Sequence, residues 1–437
     1  MAYDIIIGRD ENDKKLFGNE GLINLGKGYV KMNQYTSLSN NIFMDVARSH
    51  VILISGKRGS GKSYSLGVIA EEISNLPLEV KRNIAPLIFD TMGIFWTMKY
   101  KNEKDRELLS EWNLEPKKLP IRIFVPYGYF DDYLHKGIPV DAPFAIKVSE
   151  ITAEDWILLF GLDMINPVAV IIERVIYSLK DNIDFDIYDI IEVIKKSDVS
   201  SIQEKNAAIG LFEAALTWNV FSDKNSPASE ISDLLKAGET SIIDLSPYNS
   251  IGNFNVRALI IGLVSRKIFN ERMEFRKAEE IEAIRQGGDY LNYNIRRKRP
   301  LVWIFLDEVH EFLPKEGKTS ASDALIQLLR EGRQPGISLV FATQQPGKIH
   351  HDVMTQSDIV ISHKLTAKQD IYALNEIMQT YFLEDIRKYI DDLPSLKGSA
   401  IILDDNSERI YSMKIRPRFT WHGGEAPTAV KIKKGLN

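Results

Sequence analysis

The stretch Val51-Ile52-Leu53-Ile54-Ser55-Gly56-Lys57-Arg58-Gly59-Ser60-Gly61-Lys62-Ser63 is an apolar run followed by a glycine-rich one. Val51–Ser55 is short and β-branched, which predicts a buried strand. Gly56 to Ser63 fits the phosphate-loop pattern G-x-x-x-x-G-K-[ST]. Leu66, Ile69, Ala70 and Ile73 then recur at helical spacing. Strand, glycine loop and helix is the context that pattern needs. Glycines let the backbone curl until its N–H groups point at phosphate oxygens, and the helix N-terminus adds positive potential there. Gly56, Lys57, Arg58, Gly59, Ser60, Gly61, Lys62 and Ser63 are therefore candidate nucleotide contacts. Lys62 is expected to reach the β- and γ-phosphates, and Ser63 to ligate Mg2+.

A second apolar run, Leu301-Val302-Trp303-Ile304-Phe305-Leu306, ends in Asp307-Glu308. This is a Walker B arrangement. Asp307 is expected to hold the magnesium, directly or through water, and Glu308 to act as general base on the attacking water. Two acids after a strand also cap helices, but the phosphate loop upstream favours the catalytic reading. Ile337 to Ala342 is a further buried strand, ending in Thr343-Gln344-Gln345-Pro346. Gln344 is the candidate contact to both the γ-phosphate and the attacking water. Between these strands a helix is predicted from about Ser322 to Arg333, with Leu325, Leu328 and Leu329 on one side. Arg330 and Arg333 share a face near its end. They either complement the helix dipole or supply an arginine finger to a neighbouring subunit. His350-His351 has no third ligand at metal-binding spacing and is read as surface.

Lys62 and Asp307 are further apart in sequence than a minimal nucleotide-binding core requires. Much of the excess falls in residues 152–238. Thr152-Ala153-Glu154-Asp155 has the form of a helix capping box, and Trp156, Leu159, Phe160, Val168, Ile171, Ile172 and Val175 follow. No nucleotide motif lies there, so a packed helical insertion is expected. The predicted organisation is a short N-terminal β appendage over 1–50, a core over 51–151 and 239–395, the insertion between them, and a C-terminal extension over 396–437. Pro86 to Asp90 and Ile121 to Val125 read as core strands. Asp90 either approaches the nucleotide from a strand end or serves a turn. Ser241 to Leu245 is another strand, and Val256 to Ile284 a long helix broken by Gly287-Gly288. The run Arg296-Arg297-Lys298-Arg299 is either a solvated loop or a surface facing DNA or a neighbour. Lys431 to Asn437 reads as a frayed tail.

Composition narrows the class. The chain has 437 residues, 44% of them hydrophobic, with a net charge of −5, so it has room for a large core and no global basic character. A local basic channel remains compatible with that balance. No cysteine is present, which excludes disulfides and thiolate zinc sites. No apolar run reaches the roughly 18 residues of a spanning helix, and Met1-Ala2-Tyr3-Asp4 lacks the basic start of a signal peptide. The expectation is a soluble, cytoplasmic protein.

Together, Gly56–Ser63 with Tyr64 to Glu72, Asp307-Glu308-Val309-His310-Glu311-Phe312-Leu313-Pro314, Arg330-Glu331-Gly332-Arg333, Ala342 to Pro346 and Trp421-His422-Gly423-Gly424 resemble the HerA/FtsK superfamily of ring ATPases, most closely its HerA branch. The resemblance covers about residues 42–425. It implies an α/β fold with a RecA-like P-loop NTPase core and a helical insertion, a hexameric ring, ATP and Mg2+ as cofactors, and ATP-driven movement along double-stranded DNA. Family roles carry over to Lys62, Ser63, Asp307, Glu308 and Gln344, with Arg330 or Arg333 acting in trans. It also implies a NurA-type nuclease as a partner in DNA end processing. Two features depart from the family. Residues 1–50 are short beside its β-barrel, and Gln345 stands where many members have arginine. The competing readings are a secretion- or conjugation-type transport ATPase and a nucleotide-dependent scaffold of a defence complex.

Overall fold

The computed structural model describes residues 4–32, 35–180, 184–197, 201–224, 228–250, 254–286, 299–378 and 386–425. Its strands are β1 (Ile5–Ile7), β2 (Leu22–Met32), β3 (Tyr35–Asp45), β4 (Val51–Ser55), β5 (Ile84–Asp90), β6 (Ile121–Pro126), β7 (Ala142–Phe144), β8 (Ile146–Lys147), β9 (Phe221–Ser222), β10 (Thr240–Asp244), β11 (Leu301–Leu306), β12 (Ile337–Thr343), β13 (Ile359–His363), β14 (Ser399–Asp404) and β15 (Arg409–Ile415). One 13-stranded sheet runs β1-β3-β2-β15-β14-β13-β4-β12-β11-β5-β10-β6-β7, and β8 pairs with β9 alone. From β13 to β7 every neighbouring pair is parallel. From β13 through β14, β15 and β2 to β3 the pairs are antiparallel.

The parallel strands read as unbroken apolar runs because both faces are covered. On β4, Leu53 enters one core layer while Ile52 and Ile54 enter the other. This is the expected α/β P-loop architecture, and its strand order builds the site. β12 lies between β4 and β11, with Thr343 opposite Ser55 and Phe341 opposite Leu306. The glycine loop, Gln344 and Asp307-Glu308 therefore emerge at one edge. It is the carboxyl edge, where open α/β sheets hold ligands.

The described residues between 152 and 238 are largely helical. Ala153–Leu159, Ile187–Lys196 and Ile202–Leu216 each start with a reciprocal capping box, made by Thr152 with Asp155, Asp186 with Asp189, and Ser201 with Glu204. Each box satisfies two N–H groups that a helix start leaves unpaired. Trp156 stacks on Phe160 at 5.4 Å and meets the edge of Phe212 at 5.1 Å. This aromatic cluster is continuous with one core layer of the sheet. The long helix Val256–Gln286 packs on the same layer through Val256, Leu259, Ile260, Leu263 and Val264. At the other edge, β15 pairs with β2, so the N-terminal hairpin extends the core sheet. No helix among the described residues is long and apolar enough to cross a membrane.

The ambiguity over Asp90 resolves to the turn. Its carboxylate accepts N–H groups from Met92, Gly93 and Phe95 at 3.2, 2.8 and 2.7 Å. Beside it in register stands Asp244. Burial, with Asp244 as neighbour, pushes the Asp90 carboxyl up to about 7. The helix expected from Ser322 to Arg333 spans Ser322–Glu331, with Gly332 as its C-cap. Gly287-Gly288, Arg296 to Lys298 and Lys431 to Asn437 lie outside the described residues. Arg299 binds Glu271 at 3.1 Å and covers the Phe275 ring.

Candidate nucleotide-binding site

The glycine loop turns off the end of β4 and feeds the helix Lys62–Ser74, whose N-cap is Gly61 in a left-handed conformation (φ 117°, ψ 12°). At Gly56 a Cβ atom would fall 2.5 Å from Ser60 Oγ and 2.7 Å from His363 Cβ. The loop is pinned at its base, where Lys57 N–H donates to the Lys364 carbonyl at 3.1 Å. Within it, Ser60 donates through both its N–H and its hydroxyl to the Lys57 carbonyl. The first N–H groups of the following helix have no intrahelical acceptors, so they face the concave side of the loop as anion donors. Lys62 is only 5% exposed. Burial holds its ammonium below the ordinary lysine range, against the pull of Glu308 and Asp307. Its contact with the Lys57 carbonyl is long, at 3.4 Å. A buried cation so weakly bonded in a curled loop fits a phosphate chain.

Ser63 occupies the first turn of the helix, and its hydroxyl donates to Asp307 Oδ2 at 2.5 Å. The other Asp307 oxygen accepts the Glu308 N–H at 2.8 Å. A hydroxyl and a carboxylate oxygen brought together are hard ligands, which suits Mg2+. Glu308 is left-handed (φ 52°, ψ 43°) without being glycine. Such backbone costs of order 1–3 kcal/mol and clusters at functional sites. Its Oε1 accepts from Gln344 Nε2, while its buried Oε2 has no hydrogen bond. Burial, followed by the Asp307 charge, raises the Glu308 carboxyl above the ordinary range. That is the direction a general base requires.

Lys62, Ser63, Asp307, Glu308 and Gln344 thus converge. The two arginines do not join them. Arg330 binds Asp352 at 2.6 Å, and Arg333 binds Asp358 at 3.3 Å and the Ser49 carbonyl at 3.5 Å. Ser49 precedes β4, so Arg333 sits at the sheet edge opposite the loop. Their side chains are 59% and 70% exposed.

The site also holds groups to which no sequence motif assigns a role. His363, fully buried at the end of β13, lies beneath the loop. Its Nδ1 faces the Ser399 carbonyl at 3.0 Å and its Nε2 faces Ser65 Oγ at 2.8 Å. Burial pushes it down to about 4, so it is a neutral strut: Nδ1–H donates to the carbonyl and Nε2 accepts from the serine. His310 sits beside Glu308, 3.5 Å from its Oε2, with Thr343 Oγ1 at 3.2 Å. Burial lowers this ring as well. On the outer side of the loop helix, Glu71 is fully buried. It accepts from Arg418 at 2.9 Å, Arg416 at 3.2 Å, and the N–H groups of Phe419 and Thr420. Arg416 also binds Glu72 at 2.9 Å. Tyr64, directly after Ser63, accepts the Arg418 N–H at 2.6 Å and meets His422 edge-on. The stretches Tyr64 to Glu72 and Trp421-His422-Gly423-Gly424 both belong to the family resemblance, but neither one states that they meet.

Fold and loop together define a P-loop ATPase architecture. A family profile described as helicase HerA, central domain, matches residues 33–268. The chain belongs to that family. A second profile, zonular occludens toxin (Zot), matches residues 255–416. The chain is 27% identical over 200 residues to the DNA double-strand break repair helicase HerA of Pyrococcus furiosus, covering 41% of this chain and 34% of that protein. It therefore spans about a third of that relative's length. It is 26% identical over 434 residues to a probable helicase of Methanocaldococcus jannaschii, covering 97% of this chain and 72% of the relative. Among solved structures, VirB4 of Thermoanaerobacter pseudethanolicus superposes with a TM-score of 0.54 at 10% identity, covering 91% of this chain and 97% of VirB4. That likeness is one of fold.

Proposed function

We propose that this chain is a magnesium-dependent ATPase that works as a ring, a hexamer by family resemblance, and moves along double-stranded DNA. The observation that carries the reading is the convergence of Lys62, Ser63, Asp307, Glu308 and Gln344 at one sheet edge. Lys62 and the loop N–H groups bind the phosphates. Ser63 and Asp307 hold the metal, whose charge offsets that of the phosphates when it is bound. Glu308 takes a proton from the attacking water, and Gln344 orients that water. Arg330 or Arg333 completes the site of a neighbouring subunit, which requires it to leave its own aspartate.

DNA as the track is supported by family membership and by the relatives' names. A motor that tracks along DNA grips backbone rather than base edges. Duplex binding is then nearly indifferent to sequence and falls steeply with salt, because phosphate contacts release counterions. A NurA-type nuclease partner and a cytoplasmic location belong to the same reading. The test is the ATPase rate with and without linear duplex DNA, together with duplex binding at low salt. Hydrolysis without DNA stimulation or duplex binding overturns the translocase reading in favour of a transport ATPase.

A further inference from the structure

The Walker B turn holds one group that the proposed reaction does not use. β11 ends at Leu306, and Glu308 bends the chain through its left-handed backbone into the short turn Val309–Glu311. That turn folds His310 back over the carboxylate preceding it. One carboxylate oxygen, Oε1, is already held by Gln344. The other, Oε2, is buried with no hydrogen bond. A buried carboxylate oxygen is costly to leave without a donor. His310 Nδ1 lies 3.5 Å from Oε2 and 3.2 Å from Thr343 Oγ1. Thr343 Oγ1 already accepts the Gln345 N–H at 3.1 Å. The ring nitrogen thus stands between two oxygens, and a small rotation takes it from one to the other. Thr343 and Gln344 are adjacent at the end of β12, so both holds on Glu308 are anchored to one strand end.

We propose that His310 is a positioning residue for Glu308, swinging its Nδ1–H from Thr343 onto Glu308 Oε2 so that the carboxylate, gripped by His310 and Gln344, presents a free lone pair to the attacking water. This rests on the ATPase reading above. His310 touches neither phosphate nor metal in this scheme, and its effect falls on the chemical step. An alanine there leaves Glu308 able to rotate, and support of this kind typically contributes roughly tenfold to hundredfold in activity.

The experiment is steady-state ATP hydrolysis by the full chain with DNA and Mg2+, with nucleotide affinity measured separately. His310→Ala is expected to lower kcat roughly tenfold to hundredfold, with KM and nucleotide affinity within about twofold of the parent. His310→Asn, which carries an N–H at the same δ position, is expected to recover most of the loss. In the Glu308→Gln background, His310→Ala is expected to add almost nothing, because residues acting as a unit are not additive. If alanine disturbs folding, His310→Gln, with its N–H one bond further out, takes its place and is expected to lose kcat likewise. A parent-like kcat, a loss confined to KM, or a full further loss on top of Glu308→Gln overturns the proposal. A wild-type chain that hydrolyses no ATP overturns the ATPase reading first. A hydrolysing wild type with an indifferent His310→Ala overturns this proposal alone.

Discussion

Ser63 donates its hydroxyl to Asp307 across 2.5 Å, although 244 residues separate them. The contact joins the first turn of the loop helix to the end of β11, with the end of β12 between their strands. It closes the site from two distant stretches of chain, and it places the two hard oxygens a metal needs side by side.

Glu308→Gln keeps the shape of the carboxylate and removes its basicity. Turnover should fall at least roughly a hundredfold, as expected when a general base is lost, while nucleotide binding persists. Phosphate release and binding of a fluorescent ATP analogue measure the two separately. Parent-like turnover in this variant removes Glu308 from the mechanism.

Arg330 and Arg333 each bind a carboxylate of their own chain from an exposed position. Exposed pairs of this kind contribute about 0–1 kcal/mol. Arg330→Ala and Arg333→Ala should therefore leave the melting temperature nearly unchanged while at least one abolishes ATPase activity. Mixing that variant with Lys62→Ala protein should restore part of the activity, since some interfaces then pair an intact loop with an intact arginine. Normal hydrolysis in both variants places the finger elsewhere.

His50 is fully buried between Asp358 Oδ2 at 2.7 Å and Asp45 Oδ2 at 3.2 Å. Burial opposes its charge, but the two aspartates prevail and raise it from 6.5 to about 9. A group whose pKa is raised on folding stabilises fully below its unfolded value and loses that contribution as pH rises through its folded value. Stability should therefore decline from about pH 6.5 to pH 9, by an amount of order 3 kcal/mol. Denaturant midpoints across that range provide the check. His50→Gln should flatten the decline, and an equally steep decline in that variant assigns it to another group.

Glu71 is the shared acceptor for two fully buried arginines. Removing one partner of a buried ionic network costs about 3–5 kcal/mol, because the remaining charges are stranded. Glu71→Ala should lower stability by about that amount and loosen the loop helix, raising the Kd for ATP. Urea unfolding and nucleotide titration report the two effects. Stability unchanged by the substitution means the clamp contributes little.

The legible parts of this molecule are those written locally. A glycine loop between an apolar strand and a periodic helix, two acids after a buried run, and a polar residue at a strand end each occupy a few neighbouring positions. Placing them at strand ends already aims them at the same edge. Asp90 was ambiguous because a carboxylate at a strand end looks the same whether it faces a ligand or folds back onto Gly93 and Phe95. Nothing near His363 in sequence differs from ordinary core, and nothing at Glu71 tells which groups its carboxylate meets. Their partners lie far off: Ser65 is 298 residues from His363, and Arg418 is 347 from Glu71. Burial decides their chemistry, and burial belongs to the assembled sheet. His310 lies within the Walker B stretch, but its relation to Glu308 depends on a left-handed turn that sequence spacing does not encode.

The clamp on the loop helix also gives the protein a clock. Arg416 leaves the ribosome 345 residues after Glu71. At about 5–20 residues per second, the nascent chain carries that carboxylate without its counter-charges for about 17–70 s. Chains stalled short of residue 416 should fail to retain ATP, whereas chains released beyond residue 425 should retain it; retention by the short chains would break the link. The nucleotide motif is complete in sequence at Ser63, yet the helix that carries it gains its clamp only once residue 416 has been translated.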